Sequence, residues 1–183
     1  MRSIFTTLVV LAVFNTAACA QFALGGHVNA LFPIGDFSTR AQSGFGFDLE
    51  GRLGVDRSLI TTASIGYHSF SVQNGGSTRF NFTPITLSLL YPFSTSELQP
   101  YLGFGIGINR ASFGTSGFRV TNSYFGVSPI FGLQYRSSEQ ISFDLNVRYH
   151  LTFANNNGAL TDVLNQNAAY LVFNLGAFYT FGQ

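Results

Sequence analysis

Three groups of residues have side chains that can carry protons or charge. Asp48, Glu50 and Arg52 stand at every second position. Asp144, Arg148 and His150 keep the same spacing, with Asn146 between them. His68-Ser69-Phe70-Ser71 sets a histidine beside a serine. Alternate residues of an extended chain share a face, so the first two groups each line one face of a strand. One reading is a cluster that handles protons or a ligand. The other is a salt-bridged filling for a narrow interior, where charges persist only when paired; this is the expected one. The Ser–His pair suggests ester or acyl chemistry, with His as the base for Ser. Adjacent strand residues point to opposite faces, however, and no acid stands nearby to orient the His.

Other patterns carry less chemistry. Gly103, Gly105 and Gly107 are not followed by a helical segment, so they lack the context of a nucleotide loop. They are expected to face inward and make room for large side chains of neighbouring strands. Asn155-Asn156-Asn157-Gly158 and Asp162 have no metal-ligand spacing and read as an ordinary loop. The three histidines fall on three different strands, and Cys19 is the only cysteine. No cofactor and no metal are expected.

The elements that position these residues are strands. Ile141 to Phe153 alternates without a break. Ile141, Phe143, Leu145, Val147, Tyr149, Leu151 and Phe153 make one apolar face; Ser142, Asp144, Asn146, Arg148, His150 and Thr152 make one polar face. A tilted strand of about 9–11 residues crosses a bilayer, so the apolar face suits lipid and the polar face an enclosed interior. Seven more segments repeat the unit: 21–32, 44–55, 59–71, 80–93, 100–111, 123–135 and 169–181. Alternation weakens near Phe70, which suggests a bulge, and Pro84 removes a ladder donor inside its strand. Connections after the second, fourth and sixth strands are short, and those after the odd-numbered strands, such as 112–122 and 154–168, are longer. The expected fold is all-β: an eight-stranded antiparallel up-and-down transmembrane β-barrel, with both ends of the chain on the short-turn, periplasmic side.

Composition agrees. Of 183 residues, 46% are hydrophobic and only 9% charged, whereas soluble domains carry about 25% charged residues. Lysine is absent, so the usual protection of a water-facing sheet is missing. A net charge of +1 does not suggest nucleic acid as a partner. Residues 1–20 read as a secretory signal: Arg2, an apolar stretch from Ile4 to Phe14, and Ala18-Cys19-Ala20 as a small-x-small cleavage site. Residues 21–183 form the barrel domain. A lipidated Cys19 is the alternative; Thr16 stands where such a signal usually has Leu.

The chain resembles the outer-membrane protein β-barrel domain family of Gram-negative bacteria, the small OmpA/OmpX-like eight-stranded barrels. The resemblance rests on P-I-G-D-F at 33–37, P-Y-L-G-F-G-I-G at 100–107 and the terminal strand ending Y-T-F at 179–181. It implies an integral protein of the cell outer membrane. It also implies that Tyr179 and Phe181 belong to the signal read by the barrel-assembly machinery. Such barrels meet outer-membrane lipid and lipopolysaccharide, and a protein partner can be reached through the external loops. The family is functionally mixed, so the expected role is structural, surface-interacting or accessory. The alternatives are a lipid-modifying enzyme acting on lipid A acyl chains, with His68 and Ser69 as its candidates, and a soluble lipocalin-like carrier with the apolar face turned inward.

Overall fold

In the computed structural model the chain is described over residues 21–56, 59–73, 78–115, 118–154, 164 and 166–181. The expected signal segment, the Asn155–Gly158 stretch and Asp162 lie outside these residues. Eight strands pair in chain order: β1 (Phe22–Ile34), β2 (Ala41–Asp56), β3 (Leu59–Val72), β4 (Arg79–Pro92), β5 (Leu98–Thr115), β6 (Phe118–Arg136), β7 (Ile141–Thr152) and β8 (Ala168–Phe181). All pairs are antiparallel, and β8 returns to β1 from Phe22↔Phe181 to Ile34↔Ala169, which closes the barrel. Closure leaves no sheet edge, so backbone groups are satisfied within the wall.

Alternation decides which face each side chain takes. On β7 Ser142, Asp144, Asn146, Arg148, His150 and Thr152 are buried, while Ile141, Phe143 and Leu145 are exposed. The same inversion runs around the wall: Val28 and Phe45 are each 65% exposed, Leu87 and Phe131 each 60%. A carrier barrel would hide these residues and show its polar face. The carrier reading is therefore overturned: the apolar face is outside. Among the described residues no helix is long and apolar enough to cross a membrane.

Of three local expectations, one is corrected and two are located more closely. The irregularity expected near Phe70 is found beside it, but on the partner strand: the register shifts between Ala41↔Val72 and Gly44↔Phe70, with the extra residue on β2, while Phe70↔Phe80 keeps the β3–β4 register. Alternation weakens because Phe70 faces an interior that is itself apolar at that level. Residues 112–122 are not mainly loop. β5 and β6 stay paired out to Thr115↔Phe118, so this connection is as short as a turn. Ser112↔Thr121 and Phe113↔Val120 still alternate, and such a hairpin keeps its ladder beyond the apolar belt. Pro84 faces inward and is buried; the β3–β4 ladder skips the positions beside it and resumes in the same register at His68↔Phe82. We call the end with connections 57–58, 93–97 and 137–140 the turn end, and the opposite end the loop end.

Candidate functional site

The interior is built in three levels. The middle level holds the charged residues of β2 and β7. These strands are not neighbours in the sheet, so their contacts cross the lumen. Glu50 is fully buried and bridges two guanidinium groups: Arg52 Nε donates to its Oε1 at 2.8 Å, and Arg148 Nη2 donates to its Oε2. Arg52 Nη1 also donates to Asp144 Oδ2 at 2.9 Å and to Gln134 Oε1 at 3.1 Å. The Tyr101 hydroxyl stands 3.0 Å from both oxygens of Asp144. Arg148 Nε and Asn174 Nδ2 both donate to Asn146 Oδ1, at 3.1 and 2.6 Å. His27 Nε2 lies 3.1 Å from Asp144 Oδ1. The Arg52 guanidinium carbon sits 3.7 Å from the Phe178 ring centroid, a cation–π contact that covers one face of the charge.

Asp48 and His150 belong to the same level but not to the same cluster. Asp48 Oδ1 lies 3.0 Å from His68 Nε2, and His68 Nδ1 lies 3.2 Å from the Tyr170 hydroxyl. Among the described residues His150 has no carboxylate within ion-pair distance. Its Nδ1 is 2.9 Å from Ser128 Oγ, and its ring stacks on Tyr170 at 5.1 Å and 12°. Three carboxylates thus stand among two arginines and two adjacent histidines. Unpaired, each would carry a desolvation cost of several kcal/mol.

Glycines supply the room. A Cβ on Gly132 would strike the Tyr101 ring, one on Gly66 would strike Asp48, and one on Gly176 would strike His27. Of the expected Gly103-Gly105-Gly107 set, only Gly103 clears space for large side chains, those of Leu90 and Ile130. Gly105 faces Ser88 and Thr86, and Gly107 faces the β4 backbone.

The loop-end level is aromatic. Gly35 takes φ 59°, in the left-handed region, and starts a single turn of 3-10 helix over Gly35–Thr39. That turn drops Phe37 into the barrel mouth. Its ring meets Phe70, Phe80 and Phe82 at centroid distances of 5.3, 5.5 and 5.6 Å, and Tyr170 lies beneath. Leu31, Ala111, Tyr124 and Val172 complete the packing. The turn-end level is open: a vestibule of about 630 Å³ is lined by Arg52, Gln99, Gln134, Arg136, Ser142 and Thr180, among others.

The hydrolase candidates are not assembled. His68 points inward onto Asp48 and Tyr170; Ser69 takes the outward face, 3.5 Å from Arg79 Nη1. The Ser128–His150 contact is a second Ser–His pair, but both residues are only 3% exposed, so solvent does not reach them. Phe143, Leu145, Val147, Tyr149 and Leu151 share the outward face of β7. Tyr179 and Phe181 are exposed on the outward face of β8, with rings 4.9 Å apart, and Phe181 stacks on Phe22 at 5.9 Å.

Sequence reading left His27, Tyr101, Tyr170, Ser128 and Asn174 without roles. Strand parity was the available signal: each shares the inward parity of its strand. What parity does not tell is which inward residues meet across the lumen.

A closed barrel with an apolar outside and a charged inside defines an integral outer-membrane barrel. The chain belongs to the outer membrane protein beta-barrel domain family, whose model matches residues 5–181. Among solved structures it is similar to Neisserial surface protein A, at 19% identity and TM-score 0.70, covering 88% of this chain and 99% of that one. It is also similar to OprG of Pseudomonas aeruginosa, at 16% identity and TM-score 0.59, covering 90% and 97%. Ail, the attachment invasion locus protein of Yersinia pestis, matches at 16% identity and TM-score 0.54, covering 88% and 97%. At these identities the likeness is one of fold. A comparison with curated protein sequences finds no match.

Proposed function

We propose that this protein is a non-catalytic component of the outer membrane, with a structural, surface-interacting or accessory role and a lumen filled by its own side chains. One observation carries the reading. The cross-lumen chain Arg148–Glu50–Arg52–Asp144 is buried and internally paired, with an aromatic level above it, which supports an interior without a channel or substrate pocket at those depths. In this reading the turn end faces the periplasm. Phe143, Leu145, Val147, Tyr149 and Leu151 lie in lipid, beside lipopolysaccharide in the outer leaflet. Tyr179 and Phe181 are offered to the barrel-assembly machinery, and the external loops are the contact for a protein partner.

The enzyme alternative is tested by mass spectrometry of lipid A from cells with and without the protein. The acylation pattern is expected to be the same in both. A species lacking or gaining one acyl chain only when the protein is present would overturn the non-catalytic reading.

A further inference from the structure

We propose that the outer surface of β3–β6 at the loop end binds the phosphate groups of anionic lipid heads, through Arg79 and Arg110. The proposal rests on the reading that the apolar belt lies in lipid, and it names what the rim of that belt recognises.

The first observation is a charge asymmetry. Between Arg57 and Ser138 the chain has one carboxylate, Glu97, and it lies in the β4–β5 turn at the opposite end of the barrel. The second is an abrupt boundary on the outward face. On β4 the outward series passes from Leu87 and Ile85 to Thr83, Asn81 and Arg79. On β5 it passes from Ile106 and Ile108 to Arg110 and Ser112, and on β6 from Phe125 to Ser123. Register makes these positions neighbours: Arg110 pairs with Thr83 and Ser123, and Asn81 pairs with Ser69 and Ser112. The patch is thus two exposed arginines with Thr83, Ser112 and Ser123 between and beside them, over a buried Ser69 and an Asn81 held by the Tyr67 hydroxyl, and with no acid among its described residues.

Both arginines are exposed. Arg79 reaches only Ser69 Oγ, at 3.5 Å, and Arg110 has no side-chain partner among the described residues. At the rim of an apolar belt the neighbouring phase is the lipid head layer. Guanidinium groups form paired hydrogen bonds with phosphate oxygens, which suits arginine better than a point charge. Four residues of strand separate Arg79 from the position opposite Arg110, about 13 Å at about 3.3 Å per residue.

The test compares urea unfolding of the inserted chain in vesicles of phosphatidylcholine alone and of phosphatidylcholine mixed with lipid A. Lipid A is expected to raise the wild-type midpoint, and added salt to shrink the rise. Arg79→Gln/Arg110→Gln should match wild type in phosphatidylcholine and lose most of the rise; each single variant should lose part of it. Arg136→Gln, at the turn end, should keep it. An equal rise in the double variant, or none in wild type, overturns the proposal. So does equal protection by inorganic phosphate added to phosphatidylcholine vesicles, which would make the patch a general anion site. A wild-type chain that does not insert into either vesicle would instead contradict the membrane reading itself.

Discussion

Replacing Glu50 with leucine is expected to destabilise the inserted barrel by about 3–5 kcal/mol, the cost of breaking a buried ion pair from one side. Glu50 is the one carboxylate that touches both arginines, so its loss leaves Arg148 without an acidic partner and Arg52 with Asp144 alone. Arg148→Leu should cost a similar amount, because Glu50 then keeps Arg52 only. The double variant Glu50→Leu/Arg148→Leu should be more stable than the sum of the two losses requires, since the Arg52–Asp144 pair survives it. Denaturant unfolding in bilayers measures all three, and the cycle isolates the coupling. Additive losses would mean that the two residues do not interact across the lumen. A swap at Asn146 is not a neutral control, because Asn146 joins Asp144, Arg148 and Asn174.

Much of this arrangement is legible in the sequence. Alternation on β7 assigns both faces of that strand, and the opposite directions of β2 and β7 place Arg52 near Asp144 and Glu50 near Arg148. Asp48 is the instructive exception. Depth alone would set it beside Arg148 and His150, but it meets His68 on the adjacent strand. Side-chain length and the space left by Gly66 decide that, and neither is a periodic property. The aromatic level was illegible for a related reason. Phe70, Phe80 and Phe82 face inward, where a polar series is expected, while Ser69, Asn81 and Thr83 take the outward parity, so the period-two signal changes sense at this level instead of naming the same inner face. Phe37 lies in a connection, where no pattern says that the chain folds back into the mouth.

The second large effect belongs to the outside of the wall. Val147→Arg is expected to cost about 2–4 kcal/mol of stability in bilayers, the penalty for a charge near the hydrocarbon midplane. Val147 lies midway along β7, paired with Phe131 and Phe173, whose side chains are 60% and 45% exposed. An arginine there meets only apolar neighbours and lipid. The same substitution at Ile141, at the turn end of the strand, should cost about 0–1 kcal/mol because the side chain reaches the interface. Equal stability of Val147→Arg and wild type in bilayers would reverse the two faces of the strand.

The claim at the centre of this account is that the barrel is closed by its own side chains. The turn-end vestibule of about 630 Å³ is wide, but it stops at Arg52, and beyond it stand the charged level and the aromatic level capped by Phe37. Single-channel recording of the wild-type chain in planar bilayers tests this most directly. The account predicts a quiet baseline at moderate voltage and salt. A large, steady open conductance in the folded wild type would contradict it, because ions would then be passing where Glu50, Arg52, Asp144 and Arg148 are placed.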